Sequence, residues 1–221
     1  MSESRLREQI CLFARSMFER GLSHGSSGNI SAVLDDGGLL MTPTDASLGF
    51  LDPARLSRFD AQGRFVDGDK PTKEAPLHKA LYETRTGSGA VVHLHSTYAV
   101  ALSMLPGLDP ASVLPALTPY YVMRVGDTAL IPYHRPGDPA VADAIRGLAG
   151  RHASVLLANH GPVVAGTSLA SAVNAMEELE ETAKLQLLLL GLNPRVLTSA
   201  QVTDLTRTFG TPGGHGDHSR T

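Results

Sequence analysis

Apolar positions near the amino terminus fall at helical spacing: Leu6, Ile10, Phe13, Ala14, Met17 and Phe18, with Gly21 as a stop. A small-residue loop, Ser23-His24-Gly25-Ser26-Ser27-Gly28, follows. Two strand-like runs, Asn29 to Leu34 and Leu39 to Met41, flank the turn signal Asp35-Asp36-Gly37-Gly38. Thr42-Pro43-Thr44-Asp45 breaks regular structure, and Leu56 to Val66 reads as a strand pair about Ala61-Gln62-Gly63. Glu74 to Thr84 is helical, with Leu77, Ala80 and Leu81 on one face. Ala90 to His95 is a buried strand, and a helix runs from about Thr97 to Leu105. Leu130 to Tyr133 reads as a strand and Pro139 to Ala149 as a helix. Ser154 to Ala158 and Pro162 to Ala165 look like paired strands, and the last helix covers Ser168 to Leu190. Strands and helices intermix, yet several strands are joined by hairpins. The pattern therefore predicts an α/β fold in which helices cover a mainly antiparallel sheet. One domain over 1–209 and a disordered polar, glycine-rich tail over 210–221 are expected.

The strand Ala90-Val91-Val92-His93-Leu94-His95 carries the strongest chemical signal. Side chains alternate across a strand, so His93 and His95 share a face, roughly 7 Å apart. That suits two imidazoles closing on one cation. A second strand-like run ends in Asn159-His160-Gly161 and offers a third imidazole. Three neutral imidazoles leave a zinc ion one open coordination position, the pattern of a catalytic site. The competing reading is one core histidine and one surface histidine. The second histidine-bearing strand end and Glu74, just before the first strand, weigh against it.

Glu74 is open to two readings, a first-turn carboxylate favoured by the helix dipole or an acid/base beside a metal. Ser26-Ser27-Gly28-Asn29, Thr42-Pro43-Thr44 and Pro71-Thr72-Lys73 are hydroxyl- or amide-rich turns that either cap neighbouring elements or present donors to a phosphate. Tyr120 and Tyr121 follow Thr118-Pro119, and a phenol there either packs or donates a proton. Arg124, Arg135, His24, His78 and His134 are further candidates for lining a site. His78 shares a helix face with Glu74, four residues away.

Composition narrows the function classes. The chain has 221 residues, 42% hydrophobic and 19% charged, which excludes wholesale disorder. A net charge of -3 offers no electrostatic reason for a nucleic acid or an anionic membrane as partner. The longest apolar run, Leu187 to Leu190, is far short of the ~20 residues of a membrane span. Cys11 alone cannot staple the fold, in keeping with a cytoplasmic location.

Together these residues resemble the class II aldolase/adducin family. The blocks that carry the resemblance are Ser27-Gly28-Asn29-Ile30-Ser31, Met41-Thr42-Pro43-Thr44, Lys73-Glu74-Ala75-Pro76-Leu77-His78, the His93/His95 pair and Asn159-His160-Gly161-Pro162. Within the family the chain looks most like the 3-oxo-tetronate 4-phosphate decarboxylases. That match rests on Lys70 to Glu74, Leu117 to Gly126, Tyr133 to Asp138 and Glu177 to Glu181.

The resemblance implies an α/β/α sandwich, a homotetramer with active sites between subunits, and a divalent metal, usually zinc, with manganese or cobalt as alternatives. It implies that His93, His95 and His160 hold the metal. Glu74 would be the acid/base and a fourth ligand. Tyr120, or Tyr121 if the alignment slips by one, would be the proton donor reaching into the adjacent subunit. Gly28, Asn29, Thr44, Thr72 and Lys73 match phosphate-binding positions. Asp45 stands where the related aldolases usually carry glycine, so either its side chain points away or only its N–H contributes. The implied activity is that of a carboxy-lyase acting on a phosphorylated small sugar acid. It would convert a 3-oxo-tetronate 4-phosphate to dihydroxyacetone phosphate and CO2 through a metal-stabilised enediolate. A sugar-phosphate aldolase or epimerase, fuculose-phosphate aldolase-like, and a non-catalytic adducin-like module are the alternatives.

Overall fold

The computed structural model describes residues 1–212. In chain order its elements are α1 (Glu3–Glu19), β1 (Asn29–Val33), β2 (Leu39–Met41), β3 (Ser57–Phe59), β4 (Phe65–Asp67), α2 (Ala75–Thr84), β5 (Ala90–His93), α3 (Thr97–Ser103), α4 (Pro119–Arg124), β6 (Thr128–Ile131), α5 (Pro139–Gly147), β7 (Ser154–Leu157), β8 (Gly161–Gly166), α6 (Leu169–Leu188) and α7 (Ser199–Phe209). The strands form one eight-stranded sheet in the order β4-β3-β2-β1-β5-β8-β7-β6.

The period-2 alternation of the central strands sends side chains to two helical layers. Ala90, Val92 and Leu94 of the β5 segment, with Leu156 and Val164, pack against Ile10, Ala14 and Met17 of α1, Leu102 of α3 and Met176 and Leu179 of α6. Val91, Val155, Leu157, Val163 and Ala165 pack on the opposite face against Leu77 and Leu81 of α2 and Val141 and Ile145 of α5. Two apolar faces demand two covers, and the result is an α/β/α sandwich.

The sheet is mixed, which corrects the expectation of a mainly antiparallel one. β6 runs parallel to β7, pairing Thr128 with Ser154 and Ile131 with Leu157, whereas β7 runs antiparallel to β8. The reason is the connection: α5 carries the chain back between β6 and β7, and adjacent strands joined through a helix point the same way.

Two helices escape the hydrophobic pattern. One is α4, six residues long with Pro119 in its first turn. The other is α7, which follows the helix read as the last one. It opens with a capping box, the Thr198 side chain accepting from the Gln201 N–H while Gln201 reaches back to the Thr198 N–H. Of the tail expected to be disordered, Pro212 accepts a hydrogen bond from Arg85 at 3.2 Å. Residues 213–221 lie outside the described residues.

Candidate active site at the carboxyl end of β5

Three backbone features bring the histidines together. His93 closes β5, and its Nδ1 donates to the Pro162 carbonyl at 2.8 Å, which leaves the Nε2 lone pair facing inward. His95 lies in the turn that leads into α3. Glu180 of α6 anchors that turn, accepting from Ser96 Oγ at 2.7 Å and from the Tyr98 and Ala99 N–H groups at 2.8 Å. His160 sits in the tight β7–β8 turn, between Asn159 at φ 56° and Gly161. A side chain on Gly161 would overlap the Leu94 carbonyl oxygen, so glycine lets this turn lie against the His95 turn.

Glu74 comes from α2, where it occupies the N-cap position. Its Oε2 lies 3.3 Å from His93 Nε2 and its Oε1 3.4 Å from His160 Nε2. His95 Nε2 is 3.2 Å from His93 Nε2 and 3.0 Å from His160 Nε2. All four ligand atoms lie within 4.8 Å of one another. A tetrahedral ion with ~2.0–2.1 Å bonds separates its ligands by about 3.3 Å. The observed spacings fit that geometry, and this Glu/His3 group is able to bind a metal.

Electrostatics point the same way. Burial, reinforced by neighbouring His93, lowers His95 and His160 to about 4, so both present lone pairs at neutral pH. Burial alone would raise Glu74, but the electrostatic influence of the adjacent His93 ring and the Asn29 hydrogen bond outweigh it and hold the carboxyl at about 2. His78 is lowered to about 3, by complete burial first and by His93 second.

A cleft of about 180 Å³ opens beside the cluster. Its walls are Ser26, Ser27, Gly28, Asn29, Pro43, Thr44, Asp45, Thr72, Lys73 and Pro136, and it reaches Glu74, His95 and His160. Gly28, Asn29, Thr44, Thr72 and Lys73 thus share one cavity with the histidines. Pro43 bridges Pro71, and Thr44 N–H donates to Lys70 at 2.9 Å, which ties the two loops together. Asp45 adopts φ 56°, a conformation glycine takes freely and aspartate tolerates. Its carboxylate lies 3.6 Å from Lys73 Nζ, with both side chains mostly exposed. Asn29 is nearly buried and its Nδ2 donates to Glu74 Oε2 at 2.8 Å, so this side chain serves the carboxylate as well as the cleft.

The tyrosines separate cleanly. Tyr121 is 2% exposed with its hydroxyl 3.2 Å from Thr128 Oγ1, and burial pushes it up to about 12. Tyr120 is 55% exposed, stacks under Arg124 at 5.0 Å, and lines neither cleft beside this chain's own histidines. His134 and Arg135 line a smaller cleft that adjoins Glu74 and His160. Sequence reasoning assigned Glu180 no role. Its signal was there: a carboxylate on the otherwise apolar stripe Ala172, Val173, Met176, Leu179 and Ala183 of α6 needs a buried partner.

Residues 8–187 match the family model for the Class II Aldolase and Adducin N-terminal domain, and the chain belongs to that family. The chain is 52% identical over 204 residues to a 3-oxo-tetronate 4-phosphate decarboxylase from Escherichia coli, covering 92% of this chain and 96% of that one. It is 54% identical over 184 residues to the enzyme of the same name from Cupriavidus necator, covering 83% and 84%. Among solved structures it is similar to YgbL from Escherichia coli. The TM-score is 0.89 at 50% identity, over 92% of this chain and 98% of that one.

Proposed function

We propose that this protein is a metal-dependent carboxy-lyase that converts a 3-oxo-tetronate 4-phosphate to dihydroxyacetone phosphate and CO2. The observation that carries the reading is the convergence of His93, His95, His160 and Glu74 on one point at the edge of a cleft walled by Thr44, Thr72 and Lys73. The half-identical relatives named above support the same substrate.

In this reading His93, His95 and His160 hold a zinc ion, with manganese or cobalt as replacements, and Glu74 completes the resting ligand set. The bound cation supplies Lewis-acid stabilisation of the oxyanion charge that develops as the C1–C2 bond breaks. Gly28 N–H, Thr44, Thr72 and Lys73 seat the phosphate, fixing the C4 end away from the bond that breaks. Asp45 offers its backbone there, since its carboxylate next to a phosphate would repel it. Loss of CO2 leaves an electron pair on C2, which spreads into an enediolate and is then protonated at C2 to give the hydroxymethyl group of the product. Glu74, ionised at rest and adjacent to the reacting centre, takes up a proton from solvent and delivers it to C2.

Tyr120 is exposed on α4, while Tyr121 is buried. That exposure suits Tyr120 as the phenol that completes a neighbouring subunit's site in a homotetramer. We place the protein in the cytoplasm, because a single buried Cys11 suits a reducing compartment.

The test is a direct assay of the purified, metal-loaded protein against erythronate- and threonate-derived 3-oxo-tetronate 4-phosphates. CO2 and dihydroxyacetone phosphate in equal amounts are expected from one of them. An aldehyde released faster from a ketose 1-phosphate would make the protein an aldolase, and absence of a stoichiometric divalent ion would make it a non-catalytic module. Glu74→Gln should retain metal yet lose proton exchange at the product hydroxymethyl carbon. Unchanged exchange removes Glu74 from the acid/base role.

A further inference from the structure

Beneath Glu74 lies a row of polar side chains that the proposed chemistry does not use. Asn29 and Ser31, two apart on β1, share a face; Glu74, His78 and Tyr82, four apart along α2, share another. The two rows interlock at an otherwise apolar interface. Asn29 Nδ2 donates to Glu74 Oε2 at 2.8 Å, and Asn29 Oδ1 faces His78 Nε2 at 2.5 Å. His78 Nδ1 lies 2.7 Å from Ser31 Oγ, which in turn lies 2.8 Å from the Tyr82 hydroxyl. Ser31 and His78 are wholly buried.

The row has one consistent direction. An ionised Glu74 only accepts, so Asn29 must present its N–H there and its oxygen to His78. His78 must therefore carry hydrogen on Nε2, whatever its charge. Ser31 can receive the Tyr82 hydroxyl proton and so donate its own to Nδ1, and a bond at one ring nitrogen selects the tautomer at the other. With hydrogen on Nδ1 instead, the Asn29 amide would turn over and set its oxygen against the Glu74 carboxylate.

We propose that His78, locked as the Nε2–H tautomer by Ser31 and Tyr82, is a positioning residue that fixes the Asn29 carboxamide and thereby the orientation of Glu74. The proposal rests on Glu74 acting as the proton-transfer group. Residues one step removed from a metal centre typically change affinity or activity about 10- to 100-fold.

The experiment has two arms. In the metal-loaded wild-type protein labelled with 15N-histidine, the signal that disappears in His78→Gln should show the Nε2–H tautomer across neutral pH. The Nδ1–H tautomer there overturns the proposal. Kinetically, His78→Leu should lower kcat, and proton exchange into dihydroxyacetone phosphate, by about 100-fold while KM and metal content hold. His78→Gln, whose amide can still donate to Asn29 Oδ1, should recover about 10-fold of that loss. Equal losses in the two variants, tracking the melting midpoint, would reduce His78 to packing and overturn the assignment. Should His78→Leu not fold, the tautomer and the His78→Gln exchange rate decide. The tautomer and the proton exchange into dihydroxyacetone phosphate, unlike kcat, do not require CO2 release, so a wild-type protein inactive as a decarboxylase would refute the activity while leaving this inference separately testable.

Discussion

Replacing Gly28 by alanine tests how tightly the loop that walls the cleft is set against the histidine strand. Gly28 adopts φ +83°, and a Cβ there would stand 2.9 Å from the His93 carbonyl oxygen, 3.1 Å from Leu94 Cδ2 and 3.3 Å from Leu48 Cδ1. The left-handed conformation alone costs an L-residue about 1–2 kcal/mol. A carbon normally approaches a carbonyl oxygen to no less than about 3.3 Å, so the loop or the His93 backbone must yield by about 0.4 Å. Adding strain of about 1 kcal/mol for that contact gives a total near 2–3 kcal/mol, in the ordinary range for a strained backbone site.

For a chain of this length, each kcal/mol shifts the melting midpoint by about 2–4 °C, so Gly28→Ala should melt about 4–12 °C lower. Gly21→Ala is the control. It carries a similar φ of +76° with nothing within 4 Å of the built Cβ, and it isolates the conformational cost. Thermal denaturation of both variants, with KM for the phosphorylated substrate, separates the two effects. Gly28→Ala should be the less stable of the pair and should raise KM, while Gly21→Ala leaves KM unchanged. Equal melting points with equal KM values would refute the claim that the close approach to His93 builds the cleft.

Further outcomes follow from the same geometry. His95→Ala removes an imidazole whose Nε2 lies 3.0 and 3.2 Å from those of its two neighbours, and should lose metal and turnover while the far-ultraviolet spectrum stays native. Near wild-type activity in that variant would exclude the ligand set. Lys73→Met should raise KM about fivefold with kcat little changed, because an exposed ammonium contributes modest binding energy. A fall in kcat alone would place Lys73 in the chemistry instead. The metal-free protein should lose stability as pH falls from 6.5 toward 4, because the unfolded chain takes up protons that His78, His95 and His160 refuse when folded. His78 alone contributes about 2 kcal/mol of that loss by pH 5. Glu74 adds to it only below 4.5, where the unfolded chain's carboxyl takes up a proton that the folded one, held at about 2, refuses. Urea midpoints that coincide at pH 7.5 and 5 would contradict the buried, neutral imidazoles.

Much of the site was legible because its residues sit at element ends with distinctive neighbours. His93 closes an apolar strand, His95 stands in the turn just beyond the strand end rather than on the strand as expected, His160 precedes a glycine at a turn, and Glu74 follows the break at Pro71-Thr72-Lys73. The hairpins β1–β2 and β7–β8 were readable from alternation and turn residues. α4 and α7 were not, because a short helix starting at Pro119 has too few turns for a periodicity. α7, in turn, has a half-apolar pattern that its capping box alone betrays. Tyr120 and Tyr121 are indistinguishable by pattern. Only packing buries one and exposes the other.

The local sequence by itself determined which elements form and which side chains can ligate, because strand alternation, helical spacing and turn chemistry act over a few residues. Tertiary structure alone decided the parallel β6–β7 pair, the 3.0–3.4 Å spacing of four ligand atoms from distant segments, and the joining of Tyr82, Ser31, His78 and Asn29 beneath Glu74. Strand order and the close approach of glycine-bearing turns follow from burying both faces of the sheet at once, a requirement that no short stretch of chain encodes.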